Sequence, residues 1–268
     1  MVTPEPVDYS LLADEIAGWL RDRLAESGAE RFVLGLSGGV DSATVCGLCV
    51  RAAGAEKVLG VIMPSNSDPM DAEHAALVAE EFDVETVRVD LTPATDALFA
   101  ALPSPEHSSQ ERATLAVANV RPRLRMTTLY FLANARGGIV VGTGNKSEAL
   151  IGYYTKYGDG GVDLLPILDL YKHEVRSVAT AIGVPQAIIT KSPSAGLWPG
   201  QTDEAEIGMS YDQLDAALST LKRGTTELNH QELDSALIAK VERLHQNSAH
   251  KREPIPAFQR GSPAAAAR

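Results

Sequence analysis

Apolar positions in the N-terminal part of the chain follow two periodicities, one helical and one typical of strands. Residues 8–27 carry apolar side chains at helical spacing and end at Gly28, which predicts an amphipathic helix with a glycine stop. Short apolar runs rich in Val and Ile predict strands at 31–36, 57–62 and 84–89. Helices are predicted between and after them, at 40–53, 70–82 and 93–101. This alternation predicts an α/β fold built from crossover units, with an open parallel sheet and helices on both faces.

The remaining chain predicts one further strand among helices and loops. A predicted loop at 102–109 leads into a long helix at 110–136, and residues 139–141 are short and apolar enough for a buried strand. The polar turn at 142–145 follows at once, and such turns are where open α/β sheets bind ligands. Extended loops are predicted at 152–166 and 192–206, and further helices at 170–182, 211–221 and 231–247.

Composition narrows the class of protein. With 268 residues, 44% of them hydrophobic, the chain can bury one sizeable core or two modest ones, and we predict one domain over residues 1–257 with a disordered Ala-rich tail at 258–268. The net charge of −11 repels phosphate backbones and anionic membranes, so we expect neither a nucleic acid nor a membrane as partner. The N-terminus lacks a secretory signal, and no run is as apolar as a membrane span, so the cytoplasm is the expected location.

The two cysteines, Cys46 and Cys49, form a Cys-x-x-Cys pair inside an apolar segment that is predicted to be helical. A structural zinc ion needs two more ligands, and the chain has no second pair of cysteines to supply them. Small buried thiols are common in such segments. We therefore predict core packing for both rather than redox chemistry or metal binding.

The segment from Gly35 to Ser42 joins the first predicted strand to its helix. Its adjacent glycines allow a tight turn and close approach to an anion, and the helix that follows offers unpaired N–H groups. Ser37 and Ser42 add hydroxyl donors. Asp41 would repel a bare phosphate, but it suits Mg²⁺ held between a carboxylate and phosphate oxygens. The pattern predicts a phosphate cradle rather than an ordinary Ser/Gly turn, and it lacks the Walker and dinucleotide fingerprints.

This loop resembles the pyrophosphate-binding loop of the N-type ATP pyrophosphatases, which cleave ATP to an adenylate and pyrophosphate. Two blocks downstream, at 142–148 and 152–163, resemble the NH3-dependent NAD synthetases within that group. Further matches follow in family order at Asn119, Arg123, Arg125, 170–172, 191–197, 211–215 and 250–252, so that the resemblance spans roughly residues 10–257.

The resemblance implies a Rossmann-like, adenine nucleotide alpha-hydrolase-like fold and a homodimeric, Mg²⁺-dependent ligase. The implied reaction is the last step of NAD biosynthesis, the ATP-dependent amidation of deamido-NAD (nicotinic acid adenine dinucleotide) with ammonia. It gives NAD, AMP and pyrophosphate through an acyl-adenylate. The predicted helix at 110–136 resembles the family's helical dimer interface, so we expect its apolar face to be buried between subunits.

The resemblance also implies roles for individual residues, with Mg²⁺ held by Asp41 and Glu148. The implied ATP contacts are Gly35, Leu36, Ser37, Gly38, Gly39, Val40, Asp41, Ser42, Thr143, Lys172 and Ser194. The implied deamido-NAD contacts are Arg123, Lys156, Asp159, Asp163, His250 and Lys251. The expected catalytic set is Asp41, Glu148, Asp159, Lys172 and Ser194, where acids of the 159–163 turn orient or deprotonate the incoming ammonium. Ser194 stands where Thr is frequent in the family, and it keeps the hydroxyl group. Residues 144–147 resemble the Gly-Asn-Lys-Ser variant of the family, whereas some members have Asp-His-Ala-Ala there.

Two other functions are compatible with the phosphate cradle alone. A tRNA-thiolating ATP pyrophosphatase is disfavoured by the charge of −11 and by the lack of a basic arm. A noncatalytic adenine-nucleotide sensor would not need Glu148, Lys172 and Ser194 together. Both cysteines lie beside the cradle, which leaves none for glutamine hydrolysis, so we predict free ammonia, or ammonia from a separate subunit, as the nitrogen source. The loops at 152–166 and 192–206 are expected to order around the substrates.

Overall fold

The computed structural model describes residues 7–104, 109–194, 202–223 and 234–258. Its sheet contains β1 (Arg31–Gly35), β2 (Val58–Ile62), β3 (Glu85–Arg88) and β4 (Gly138–Val140). The helices of the N-terminal part are α1 (Tyr9–Ser27), α2 (Val40–Ala53), α3 (Pro69–Glu81), α4 (Thr92–Ala101), α5 (Gln110–Ala118) and α6 (Val120–Arg136). Those that follow β4 are α7 (Lys146–Ile151), α8 (Lys172–Ala181), α9 (Gln186–Ile189), α10 (Asp203–Ile207), α11 (Tyr211–Arg223), α12 (Ser235–Asn247) and α13 (Ala249–Arg252).

Local chemistry explains where the first helices begin and end. The carboxylate of Asp8 accepts hydrogen bonds from the backbone N–H groups of Ser10 and Leu11, and α1 ends at Gly28 in the left-handed conformation. Asp68 caps α3 in the same way, and Pro69 opens that helix with its φ angle already set for a helix. The strands and helices predicted in the N-terminal part are confirmed to within about two residues.

All the pairings in this sheet are parallel, and the order of its strands is β3-β2-β1-β4. Phe32 and Leu34 of β1 pack on one face with α1, α2, α3 and α8, whereas Val33 packs on the other with α6. Every residue of β2 is buried, as expected for a parallel strand that helices cover on both sides. The predicted α/β class, an open parallel sheet with helices on both faces, is confirmed.

The strand order changes direction at β1, which places the ligand site. The chain runs outward from β1 to β3 on one side and returns to place β4 on the other side. Ligands bind outside the carboxyl ends of strands at such a switch point. Two segments leave the sheet there, the cradle after β1 and the turn after β4, where Val141 pairs with Leu164 in an isolated parallel bridge.

The predicted continuous helix at 110–136 is wrong, because α5 and α6 meet at Asn119. Pro122 explains the break: a proline ring clashes with the carbonyl four residues earlier, here in the last turn of α5. Proline is tolerated in the first turn of α6, where its missing N–H would have no partner. The prediction of a loop at 192–206 is also partly wrong, since α10 begins at Asp203.

Several other predictions concern the rest of the chain. Cys46 and Cys49 are fully buried in the main core, as predicted, and burial raises the pKa of the Cys46 thiol to about 12. Among the residues described, no helix combines the length and apolar character needed to cross a bilayer. The tail at 258–268 lies outside the described residues except for Phe258, and a single domain over 1–257 stays a prediction.

Candidate active site

Hydrogen bonds of two serines fix the shape of the cradle between β1 and α2. The Oγ atoms of Ser37 and Ser42 lie 3.0 Å apart, and the backbone N–H of Ser37 donates to Ser42 Oγ at 3.2 Å. Ser42 Oγ also donates to the carbonyl of Gly39 at 3.0 Å. Gly39 is the N-cap residue of α2 and makes no side-chain cap, which leaves N–H groups of the first turn for an anion.

Gly38 is required in this cradle for two independent reasons. Its φ of +75° lies in the left-handed region that favours glycine. A Cβ atom at this position would also lie 2.3 Å from the backbone oxygen of Asp71 in α3. The cradle therefore packs directly on the start of α3, and no larger residue fits there.

A buried ammonium joins the cradle to the turn after β4. Lys172, at the start of α8, is only 1% exposed, and its Nζ atom lies 2.5 Å from Asp41 Oδ2 and 3.2 Å from Glu148 Oε1. Asn145 caps α7 through Glu148 and donates from Nδ2 to Asp41 Oδ1 at 3.0 Å. Three separate helices thus bring Asp41, Glu148 and Lys172 together, and we call these three residues the lysine–carboxylate cluster.

The net charge of this cluster depends on whether Glu148 is ionised. Burial raises the pKa of Glu148 to about 7, although the Lys172 ammonium opposes that shift. Burial alone would lower the pKa of Lys172, but the carboxylates of Asp41 and Glu148 outweigh it and hold that pKa above its ordinary value. Lys172 is therefore charged at neutral pH. With both carboxylates ionised, the cluster has one more negative than positive charge and can accept a cation.

Two tyrosines extend the cluster toward α10. Tyr211 is buried, its OH lies 3.2 Å from Glu148 Oε1 and 3.1 Å from Asp203 Oδ2, and its ring lies 4.7 Å from the Lys172 ammonium. Tyr153 OH contacts Asp203 at 3.1 Å. Burial raises the pKa of Asp203 and that of Tyr211, which therefore stays a protonated donor.

A second buried carboxylate fixes the backbone behind Lys172. Asp215 accepts a hydrogen bond from Ser147 Oγ and lies 2.8 Å from His173 Nδ1. Ser147 Oγ in turn accepts from the backbone N–H of Lys172 at 3.0 Å. Ser147 directly precedes Glu148 in α7 and contacts the backbone of Lys172 in α8. Asp215, in α11, therefore helps to position the two helices that carry Glu148 and Lys172.

These groups open onto one cleft with a volume of about 560 Å³. Its lining includes most of the site residues that the sequence predicted: Gly35, Leu36, Ser37, Gly39, Val40, Asp41, Ser42, Thr143, Glu148, Asp159, Lys172, Ser194 and Lys251. Gly38 belongs to the cradle but faces α3. The cleft is the size of a small-molecule site, and its lining combines apolar side chains with charged residues of both signs.

Four predicted substrate contacts lie outside this cleft. Arg123 donates to the carbonyl of Lys156 at 3.4 Å, and Lys156 Nζ donates to the carbonyl of His250 at 2.6 Å, so these three residues are neighbours in the structure. The Asp163 carboxylate accepts from Tyr130 OH at 2.8 Å and from the backbone N–H of Val140 at 2.9 Å. These two hydrogen bonds fix the Asp163 carboxylate at the end of β4.

Lys251 and Asp159 line the cleft and have well-defined partners. Lys251 Nζ donates at 2.6 Å to the carbonyls of Gly152 and Tyr154, which ties α13 to the loop after α7. The carboxylate of Asp159 accepts from the backbone N–H of Thr155 at 2.9 Å. A positive and a negative side chain therefore face the same end of the cleft.

The donor set suits a magnesium ion that arrives with a nucleotide. Asp41 and Glu148 supply hard carboxylate oxygens, and their side chains keep 18% and 16% exposure. Mg²⁺ is commonly held by one or two carboxylates together with substrate phosphates. In the part of the chain that the structure describes, no group of three or more His, Cys, Asp or Glu side chains is placed to hold a metal by itself. The residues fit an ion completed by phosphate oxygens beside the cradle.

Sequence reasoning missed the contributions of Asp203, Tyr211 and Asn145. Tyr211 lies in the 211–215 segment, which resembles the family but to which the resemblance assigns no role. Asp203 lies in a segment that is predicted to be a loop. The only local signal was the Asn-x-x-Glu spacing of a capping box before α7.

Comparisons with known proteins show which family and fold this chain resembles. A family model described as NAD synthase matches residues 12–255. The chain is 43% identical to the NH(3)-dependent NAD(+) synthetase of Archaeoglobus fulgidus over 252 residues, 93% of this chain and 97% of that protein. Its fold is similar to that of NMN synthetase from Francisella tularensis, with a TM-score of 0.83, 32% identity, and coverage of 94% of this chain and 99% of that one. The NH3-dependent NAD synthetase from Campylobacter jejuni matches with a TM-score of 0.79, 27% identity, and coverage of 94% and 100%.

Proposed function

The chain belongs to the NAD synthase family, and from that premise we propose that its cleft amidates deamido-NAD with ammonia at the expense of ATP. The products are NAD, AMP and pyrophosphate. The observation that supports this most directly is the lysine–carboxylate cluster beside the cradle. A phosphate site alone would suit a sensor, whereas a buried ammonium between two carboxylates places charge where phosphoryl transfer needs it.

The reaction has to overcome the poor reactivity of a carboxylate. Ammonia does not displace oxygen from an ionised carboxylate, because that oxygen is a poor leaving group. An oxygen of the nicotinate carboxylate therefore attacks the α-phosphorus of ATP. The bond between the α-phosphorus and the oxygen that bridges it to the β-phosphorus breaks, and pyrophosphate leaves. Ammonia then attacks the acyl carbon, the bond to AMP breaks, and the nitrogen loses a proton.

The residues of the cleft divide this work. The N–H groups and hydroxyls of the cradle bind the departing pyrophosphate, and Lys172 with the Ser194 hydroxyl stabilises charge on the transferred phosphate. Asp41 and Glu148 would hold Mg²⁺, which neutralises phosphate oxygens when bound. Asp159 is proposed to accept the proton that the attacking nitrogen loses.

The deamido-NAD contacts follow from the resemblance and from the geometry at one end of the cleft. Lys251 lines that end, and Arg123 and Lys156 lie close to each other and to the backbone of His250. The cationic side chains of Arg123, Lys156 and Lys251 suit the diphosphate of a dinucleotide. We also propose that Asp163 contacts deamido-NAD. In the structure its carboxylate accepts hydrogen bonds from Tyr130 and Val140.

The decisive experiment supplies the purified chain with ATP, Mg²⁺, deamido-NAD and either ammonium or glutamine. We expect equal amounts of NAD, AMP and pyrophosphate with ammonium, and none with glutamine. The physical reason is that no cysteine lines the cleft among the residues described, and burial raises the pKa of both thiols. The measurement is product analysis by chromatography.

Each failure of this experiment has a distinct meaning. Turnover with glutamine alone would contradict the ammonia assignment, and the absence of AMP with all substrates present would favour a sensor. Because the Francisella tularensis structure is described as an NMN synthetase, nicotinic acid mononucleotide is the competing substrate. A kcat/KM that is higher for the mononucleotide than for deamido-NAD would replace the proposed substrate.

We also propose that the chain forms a homodimer through α5 and α6. Leu115 and Val117 of α5 and Phe131 of α6 are 57%, 40% and 69% exposed, so two neighbouring helices present large apolar side chains that a second subunit could cover. Replacing Phe131 with Asp is expected to shift the mass measured by light scattering from dimer to monomer. Leu11→Asp, at an exposed position of α1, is the matched control and should leave a dimer. A monomeric wild type, or a dimeric F131D variant, would contradict the proposal.

A further inference from the structure

One ion pair in the cleft has no part in the reaction as described so far. Lys191 Nζ lies 2.7 Å from Asp71 Oδ1 and donates to the carbonyl of Gly38 at 3.4 Å. Both charged residues line the cleft, and their side chains are 23% and 26% exposed. The pair connects the segment after α9 to the first turn of α3.

The location of this ammonium is set by the cradle itself. Gly38 is the residue that packs against the Asp71 backbone, so the cradle, Asp71 and Lys191 form one continuous wall. An ammonium within hydrogen-bond distance of a cradle carbonyl lies beside the groups that would bind pyrophosphate. Ser192 and Ser194 follow Lys191 along the same wall.

The charge balance near the cradle calls for a further cation. A pyrophosphate leaving group carries several negative charges at neutral pH, and the lysine–carboxylate cluster supplies no net positive charge to balance them when both of its carboxylates are ionised. Two other cationic residues that line the cleft are held in place by several partners. Arg125 donates to the Met63 carbonyl and to Ser67 Oγ, and Lys251 donates to two carbonyls.

Lys191 differs because it can change partner at small cost. Its carboxylate partner is a quarter exposed, so water can solvate Asp71 when the ammonium leaves. A lysine side chain is long and flexible, and it binds phosphate as a point charge. Movement from Asp71 to a phosphate oxygen exchanges one charged hydrogen bond for another.

We propose that Lys191 is a further substrate-binding residue of this enzyme, which transfers its ammonium from Asp71 to the terminal phosphate of ATP and then holds the departing pyrophosphate. Asp71 keeps the ammonium beside the cradle between turnovers. The inference rests on the proposed function, because it deepens the phosphate side of the same cleft.

The test uses two variants that break the same ion pair in opposite ways. Calorimetry measures the binding of inorganic pyrophosphate with Mg²⁺ to the full chain, and AMP serves as a ligand that lacks the terminal phosphates. We expect Lys191→Met to weaken pyrophosphate binding by about 10- to 100-fold, the range for a lost hydrogen bond to a charged group. Asp71→Asn should leave pyrophosphate binding unchanged or tighter, because it frees the ammonium. AMP binding should be the same in both variants.

A merely structural role gives a different pattern. If the ion pair only tethers the segment after α9, then Lys191→Met and Asp71→Asn must weaken pyrophosphate binding alike, and the inference is overturned. Unchanged binding in Lys191→Met overturns it as well. Lys191→Arg, which keeps the charge, should bind within about threefold of wild type, and Lys57→Met, on an exposed residue outside the cleft lining, is the matched control.

This design separates the inference from the proposed function. Pyrophosphate binding is measured without turnover, so it reports on Lys191 even if the wild type forms no NAD. Conversely, a wild type that forms NAD, AMP and pyrophosphate, together with unaltered binding in Lys191→Met, would retain the function and reject only the role of Lys191. In active protein we further expect the KM for ATP to rise in Lys191→Met more than kcat falls.

Discussion

Replacing Asp41 with Asn is expected to lower kcat/KM for NAD formation by about 1,000-fold while the protein stays folded, because loss of one preorganised charge at a phosphoryl-transfer site has effects of that order. The Asp41 carboxylate contacts the Lys172 ammonium at 2.5 Å and accepts from Asn145 at 3.0 Å. The amide keeps the shape and an acceptor for Asn145, but it loses the charge that a metal ion and Lys172 require. Steady-state NAD formation gives the rate, and a thermal melt monitors the fold.

The fold should tolerate this change for an electrostatic reason. Lys172 retains Glu148 at 3.2 Å, so the buried ammonium still has a partner, and the two carboxylates no longer repel each other. Asp14→Asn is the matched control, since Asp14 is exposed on α1 and pairs with Arg51 at 2.6 Å. That variant should keep near-normal activity. Near-normal turnover by the Asp41→Asn protein would contradict the assignment of Asp41 to the metal and phosphate site.

Replacing Lys172 with Met is expected to impair stability and activity together. The Lys172 side chain is 2% exposed, and its removal leaves the carboxylates of Asp41 and Glu148 facing each other without a counter-charge. Breaking a buried ion pair by removing one partner costs about 3–5 kcal/mol, and the partial exposure of both carboxylates places this case near 3 kcal/mol. Urea denaturation measures the free energy of unfolding. We expect turnover to fall by about 1,000-fold.

A double variant separates the two effects. Lys172→Met combined with Glu148→Gln removes one of the two unpaired charges, so it should recover part of the lost stability while remaining inactive. Arg23→Met is the stability control, because Arg23 pairs at 2.6 Å with Glu26, both side chains are exposed, and surface pairs contribute at most about 1 kcal/mol. A Lys172→Met protein as stable as wild type would show that the ammonium does not balance this cluster. Activity in the double variant would rule out a catalytic role for Lys172.

The candidate site was largely predictable where it depends on short stretches of chain. Helix α2 begins at Val40 and ends at Ala53, as predicted, and the cradle before it lies between strand and helix as the Gly-Gly pair indicated. Glu148, Lys172 and Thr143, which the order of the family motifs predicts as site residues, line the cleft. The same family order predicts Arg123, Lys156 and His250 as substrate contacts, yet they do not line the cleft, because residue order does not specify where a side chain points in the folded chain.

The sequence by itself determined the class of fold and the chemistry of the cradle. Apolar periodicity, glycine stops and the strand–turn–helix pattern are local properties, and each is encoded within about a dozen neighbouring residues. The position of the helix break beside Pro122 is equally local and could have been predicted from the proline alone.

Only the tertiary structure decided which charges meet. Lys172 lies 131 residues after Asp41, and Lys191 lies 120 residues after Asp71, yet each pair is in direct contact. Such contacts depend on the β3-β2-β1-β4 order and on how α3, α7, α8 and α10 dock on the sheet. Local patterns carry no information on that docking, because it results from burial of apolar surface over the whole molecule.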